Sequence, residues 1–400
     1  MRKKGVKMKI TGYRSLATVH DWGRITGDVN GVQSGNTTPI PILVLETDSG
    51  IEGVGLGAHD DIARVFPALE REDPRAVTAL YDRMLDRVFK TGHGGATFGT
   101  IGAVDMALWD IKAKAAAEPL WRMLGARDRF VPGYASGLEY GLTNEQFAEL
   151  YERFAERGFK AGKLKGGRDL DRDLPRLEIM RGILERNSRR PAIMFDANES
   201  WNRAQAVRYV RAIEETVDLT WVEEPLRRWD ADGLAVLRGK IGAGVASGEN
   251  LTGLEQYRPL FDANSLDVVQ VGNVWGVTHF LRVATLAHGR DLPVSPVAYN
   301  ANPIAHAAAA VPNLLTYEVQ DLHFPEGLTV DQTLDDGGII LGDAPGLGIA
   351  VDESRLVAPG ANGVAASLDG PHVRPERAAL RIVAEPDIND SPVVPLDAAS

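Results

Sequence analysis

Cysteine is absent from the 400 residues of this chain, which excludes a disulfide framework, a thiolate nucleophile, an iron–sulfur centre and any zinc site built on cysteine. Chemistry has to run on carboxylates, lysines, histidines and hydroxyls. Positive charge is also in deficit. Against 55 Asp and Glu stand 44 Lys and Arg, a net charge of −11, so no broad basic surface meets a phosphate backbone and no nucleic-acid partner is expected. Long apolar runs are missing too: AHAAAAV, from Ala305 to Val311, falls far short of the ~18 residues of a membrane span. The basic start, Met1 to Lys9, leads into an alternating mixed segment instead of an apolar signal core. These absences predict a cytoplasmic protein with no membrane partner.

What is present is enough chain for more than one typical domain of roughly 100–200 residues. Lys9 to Val19 and Pro41 to Glu46 are β-rich, Asp48-Ser49-Gly50 signals a turn, and Ile51 to Leu56 returns as a hairpin partner. The polar stretch from His20 to Thr38 is longer than a simple connection needs and reads as a functional lid. Helical signals follow over Asp61–Leu85 and Thr100–Leu124, where Val104, Leu108, Ile111 and Ala115 make one apolar stripe. Residues 1–130 therefore predict an α+β capping domain.

From Val131 the pattern changes. Eight short apolar runs alternate with helix-like segments: VPGYAS, FKAGKLK, AIMFDAN, LTWVEEP, GVASGEN, DVVQVGN, LPVSPV and LLTYEVQ. Apolar strands alternating with amphipathic helices imply parallel strands, and eight such units fit a closed (β/α)-barrel over residues 131–321. Residues 322–357 are expected to return to the cap, and 358–400 form a C-terminal extension without catalytic residues. The run Gly53-Val54-Gly55-Leu56-Gly57 sits in a hairpin strand, so it is no dinucleotide fingerprint.

Barrel active sites lie at the C-terminal ends of strands. Asp196, Glu223 and Glu249 close three consecutive runs, 27 and 26 residues apart. Neighbouring strands are about 4.8 Å apart, so the three carboxylates converge and would repel one another unless a hard cation such as Mg²⁺ took their oxygens. Lys163 and Lys165, two residues apart on the second run, face the same side. Beside a cation and beside each other, their charged forms are disfavoured, which predicts lowered pKa values suited to a general base.

The Lys-x-Lys pair, the DAN, WVEEP and SGEN strand ends and the helix VDMALWDIKAKAAAEPLWRMLG together resemble the enolase superfamily, on its mandelate racemase-like branch, over residues 7–357. The resemblance implies an α+β cap over a modified (β/α)-barrel and a Mg²⁺-assisted enediolate formed by removing the proton α to a carboxylate. It casts Lys165 as the base, Lys163 as its neighbour at the substrate carboxylate, and Glu318 as the eighth-strand acid bonded to that carboxylate. That branch commonly carries an Asp after strand six and a His after strand seven. Here Gly272 stands in the first place, PVSPVAYN lacks the second, and strand six has no lysine either. One-base dehydration of a sugar acid by a lyase is therefore expected, with an isomerase (epimerase or cycloisomerase) as the alternative and a non-catalytic binding protein as a distant third. Lys165 itself, Tyr299 or a loop histidine would protonate the leaving group. His20, Asn198 and His323 are candidates to touch the substrate, a small-molecule carboxylate, and a homo-oligomer is expected.

Overall fold

The computed structural model describes residues 8–33, 35–297, 301–360 and 364–366. The N-terminal sheet has three antiparallel strands, Ile10–Asp21, Thr37–Thr47 and Gly53–Leu56. A 21-residue helix, Ala96–Ala116, packs on it. A Cβ added at Gly55 would lie 1.9 Å from the carbonyl oxygen of Ala103 on that helix. The glycine run thus exists to let helix and sheet backbones approach.

Two expected helices are shorter than their periodicity implied. Asp61–Leu85 divides into Ile62–Val65, a 3₁₀ turn Phe66–Ala68 and a second helix, Val77–Val88. Pro67 and Pro74 fall in the turn and the gap, where a missing N–H and a restricted neighbour interrupt a helix. The Thr100–Leu124 run breaks in the same way at Ala117, which adopts φ 55° two residues before Pro119.

All eight expected barrel strands form: Phe130–Ala135, Ala161–Lys165, Ala192–Asp196, Leu219–Glu223, Gly244–Ser247, Val268–Gly272, Val294–Val297 and Tyr317–Val319. Each pairs in parallel with the next through the seventh, and the eighth pairs with the first. The seventh bonds to the segment entering the eighth, through Val294 N–H to Asn313 O (2.8 Å) and Leu315 N–H to Val294 O (2.9 Å). A modified (β/α)-barrel results. Inside it Tyr134, Met194, Trp221, Ala246 and Val268 form an apolar plug apart from the main core. Inward positions recur every second residue, so the layer above that plug belongs to whatever follows two residues later.

After Asp321 the chain is less irregular than its composition implied. Leu328–Val330 pairs with Ile349–Val351, and Gln332–Asp335 with Gly338–Leu341, which also adds antiparallel to the first barrel strand. Thr18 of the cap donates its hydroxyl to Glu326 O at 2.8 Å, tying this return to the N-terminal sheet. The His20–Thr38 stretch is also no open loop. It folds as a small hairpin, Gly27–Asp28 against Gly31–Gln33, and Val364–Ala366 adds to it. The rest of the expected C-terminal extension beyond residue 360 lies outside the described residues. No helix among the described residues is long and apolar enough to cross a membrane.

Cap and barrel are joined through buried polar contacts. Asp105, on the long cap helix, accepts bonds from the backbone N–H and hydroxyl of Thr278 at 2.7 and 2.5 Å and from Val277 N–H. It thereby satisfies the first turn of the barrel helix Val277–His288. Asp105→Ala is expected to cost about 1–3 kcal/mol, because buried donors lose the carboxylate they bond to; urea unfolding with an unchanged m-value would check it.

Candidate active site

Strand register brings the chemistry together. Lys165 is paired with Asp196, and Asp196 with Glu223. Met194 and Trp221 belong to the plug beneath, so Asp196 and Glu223 occupy the next inward layer at the barrel mouth. Lys163 and Lys165 point into the same space. The Lys163 ammonium contacts Glu223 and lies 3.0 Å from Glu318 Oε1 and 3.3 Å from Asp196 Oδ2. Lys165 Nζ is 2.5 Å from Asp196 Oδ2. All five side chains are buried.

Four of the five residues are held from behind. Asp196 Oδ1 accepts the Asn198 N–H at 2.9 Å, Glu223 Oε2 accepts the Trp221 indole at 3.2 Å, and Gln320 donates to Glu318 Oε2 at 3.1 Å. Tyr151 donates its hydroxyl to the Lys163 carbonyl at 2.5 Å. Such supports pre-orient reacting groups at no cost during the reaction.

Glu249 differs from the expectation of three acids at equal heights. Its strand ends at Ser247, the backbone turns at Gly248 with φ 131°, and Glu249 sits on the turn, partly exposed. It still faces the cluster: burial, and to a lesser degree Asp196, raises its pKa, Lys165 opposes them, and the balance lies at about 7.

The lysines also depart from expectation. Burial pulls both down, but Glu223 and Glu318 at Lys163, and Asp196 at Lys165, outweigh it and hold both ammonium groups well above the ordinary lysine value. The expected lowering considered only the neighbouring lysine and a cation; the packed carboxylates dominate in this arrangement. Burial pushes Asp196 up, yet the two ammonium groups and the Asn198 N–H bring it below its ordinary value. Glu223 moves the other way, because burial outweighs Lys163.

Among the described residues no three acidic or imidazole side chains stand together as a ready metal cage. Lys163 and Lys165 take the inward oxygens of Asp196 and Glu223 instead. The donor set nonetheless fits a hard divalent ion: carboxylates, Asp196, Glu223, Glu249 and Glu318 among them, outnumber the two ammonium groups, and their oxygens are the ligands such a cation takes. Asp196, Glu223 and Glu249 are the residues that could hold it.

The other sequence candidates divide. Asn198, at φ 43°, turns the chain after Asp196, and its carbonyl accepts the Asn30 side-chain N–H of the cap hairpin at 2.9 Å. His20 is fully buried, with Nε2 2.8 Å from Asp321 Oδ2 and its ring edge-on to Trp22. His323 is not brought to the cluster. Its imidazole is largely exposed, 3.5 Å from the other Asp321 oxygen, at the edge of an open cavity between the cap and the helix Asn144–Glu156. Tyr299 lies outside the described residues.

Three further groups at the site lie off the strand-end pattern. Glu139, buried on the loop after the first strand, accepts the Lys165 backbone N–H at 2.7 Å. Asp28, on the cap hairpin, is close enough to Lys165 and Asp196 to feel both charges. Glu224 is buried beside Glu249 and accepts the Asn250 side-chain N–H at 3.0 Å. A loop acid carries no periodic signal, although the doubled Glu of WVEEP was visible. At Gly272 the absent Asp has a steric counterpart: a Cβ there would lie 2.6 Å from Glu249 O and 2.8 Å from the Trp275 indole nitrogen.

A barrel of this build, capped by an N-terminal α+β unit and carrying lysines on one strand opposite acids on the next, defines an enolase-type enzyme. Residues 146–355 match the family model "Enolase C-terminal domain-like", and 28–125 match "Mandelate racemase / muconate lactonizing enzyme, N-terminal domain". The chain belongs to the enolase superfamily, on its mandelate racemase and muconate lactonizing enzyme branch. It is 33% identical over 287 residues to a 3,6-anhydro-alpha-L-galactonate cycloisomerase of Streptomyces coelicolor, covering 71% of this chain and 78% of that one. It is 32% identical over 336 residues to the L-talarate/galactarate dehydratase of Salmonella typhimurium, covering 79% and 82%. Among solved structures it is similar to a racemase from Streptomyces coelicolor with bound magnesium, at TM-score 0.79 and 29% identity over 87% of this chain and 98% of that one. The Salmonella dehydratase liganded with Mg and L-lyxarohydroxamate superposes at TM-score 0.77 and 26% identity, covering 89% and 94%.

Proposed function

We propose that this chain is a Mg²⁺-dependent lyase that dehydrates a sugar acid, removing the proton α to the carboxylate and expelling the β-hydroxyl as water. The observation that carries the reading is the buried layer in which Lys165, Asp196 and Glu223 stand side by side, with Lys163 tied to Glu318. Asp196, Glu223 and Glu249 would hold the cation. Bound there, Mg²⁺ supplies Lewis acidity to the substrate carboxylate and to the charge that develops on it.

Lys165 takes the α-proton. With Asp196 and Glu249 engaged by a cation, its burial and the neighbouring Lys163 favour the neutral amine, opposed by the smaller pull of Glu318. Lys163, fixed by Glu318, offers its charge to the substrate carboxylate, where the enediolate accumulates negative charge. The filled space at Gly272 supports chemistry on the lysine face alone. The leaving hydroxyl then takes its proton from Lys165, with Tyr299 and His20 as the other candidates.

Isomerisation is the second reading, favoured by the similarity to a cycloisomerase. Incubation with Mg²⁺ and a panel of acid sugars in D₂O, followed by NMR, separates the two. Net loss of water supports the lyase. Deuterium in recovered or isomeric acid without loss of water supports the isomerase, and no exchange across the panel overturns both.

A further inference from the structure

The cap hairpin spans the part of the barrel mouth that holds Lys165. Gly27 N–H donates to Leu138 O at 2.9 Å, and Gly27 bridges to Glu139, on the loop after the first barrel strand. At the turn of the hairpin the Asn30 side chain donates to Asn198 O at 2.9 Å, on the loop after the third strand. The end of the second strand, which carries Lys165, lies between those two loops. Both contacts lead straight into the cluster. Glu139 accepts the Lys165 backbone N–H at 2.7 Å, and the Asn198 N–H donates to Asp196 Oδ1 at 2.9 Å. Lys165 is buried beneath this cover, so a substrate that reaches its ammonium from this side has to lift the hairpin.

The hairpin is too small to stand alone. Gly27–Asp28 and Gly31–Gln33 offer two and three residues, and an isolated two-stranded hairpin is marginal in water. What completes it comes from the other end of the chain. Val364–Ala366 pairs antiparallel with Gly31–Gln33, Ala365 opposite Val32, which makes Gly31–Gln33 the middle strand of three. The chain leaves for this strand from a fixed point: Val357 N–H donates to Thr18 Oγ1 at 3.2 Å, on the cap strand Ile10–Asp21 that runs into the hairpin segment. A strand added to a sheet edge is held by main-chain hydrogen bonds, and it docks and releases as a unit.

We propose that residues 364–366 are a strap: docked as the third strand of the cap hairpin, they hold it closed over Lys165, and their release sets how readily substrate enters and product leaves. The kinetic consequence rests on the acid-sugar reading above, whereas the docking does not depend on it.

Full-length Val364→Pro/Ala365→Pro tests release. One of two neighbouring residues on a strand turns its N–H to the partner strand, so the pair removes a ladder bond whichever it is and leaves the rest of the chain in place. Hydrogen–deuterium exchange read by mass spectrometry should quicken by ~5-fold or more at residues 26–33, with the barrel amides unchanged. On an acid that reacts in the D₂O panel, KM should rise about tenfold while kcat holds or rises, because the closed state is populated less and its chemistry is the same. The absence of cysteine allows the opposite test. Val32→Cys/Ala365→Cys sets thiols on directly opposed residues, whose Cα separation of about 4.5–5.5 Å in an antiparallel pair suits a disulfide. Oxidation should slow exchange of the same amides, and a reductant should restore it. Unchanged exchange in both variants overturns the strap. Quicker exchange with KM unchanged, or a fall in kcat alone, overturns its control of substrate entry. Turnover of no acid in the panel overturns the acid-sugar reading instead, and exchange alone then decides the strap.

Discussion

Lys165→Ala will abolish exchange of the substrate α-proton with solvent, a loss of about 10³-fold or more, while a divalent cation still binds. Lys165 is not among the oxygen groups that could hold the cation, and its ammonium meets that site through Asp196, 2.5 Å away. Removing it frees a carboxylate oxygen instead of deleting one. Lys165→Arg sharpens the result. Arginine keeps the positive charge but does not give up its proton, so a base role predicts loss of exchange in both variants, whereas a purely electrostatic role predicts recovery in the arginine form. NMR in D₂O reads the exchange and calorimetric titration with Mg²⁺ reads the cation. Exchange retained in Lys165→Ala would remove Lys165 from the mechanism.

Glu223→Gln will weaken Mg²⁺ binding and remove most of the thermal stabilisation that Mg²⁺ gives. A cation that binds the folded chain and not the unfolded one stabilises by about 2.7 kcal/mol at a hundredfold excess over Kd. The excess of carboxylates over ammonium groups in the cluster gives that stabilisation an electrostatic source, which a divalent ion relieves. Without Mg²⁺ the substitution also takes a partner from Lys163, although Glu318 at 3.0 Å and Asp196 at 3.3 Å remain. The unfolding temperature is therefore expected to drop modestly in EDTA and by much more with Mg²⁺ present. Equal Mg²⁺-dependent shifts in wild type and Glu223→Gln would show that Glu223 holds no cation.

Much of the fold could be read from periodicity. Eight apolar runs became eight strands because a buried parallel strand needs apolar residues on both faces, which few other elements do. Helix ends were harder. Pro67, Pro74 and Pro119 were visible, yet the apolar stripe on either side ran through them, and the breaks followed the backbone chemistry of proline. Asp196 and Glu223 were legible because strand register repeats with the strand–helix unit. Glu249 obeyed the spacing but not the height, since the turn at Gly248 carries it past the end of its strand.

Contacts between distant segments were not legible. His20 meets Asp321 across 301 residues, and Asp28 and Glu139 approach Lys165 from two different loops. No local pattern records such meetings. The lysine pair shows the same division most clearly. Its place at the barrel mouth follows from alternation along five residues of strand, which the amino-acid order dictates. Its charge state depends on how closely Asp196, Glu223 and Glu318 pack against it from three other strands. Electrostatic energy in a site closed to water changes steeply with separation and solvent exposure, and the packing of the barrel sets both.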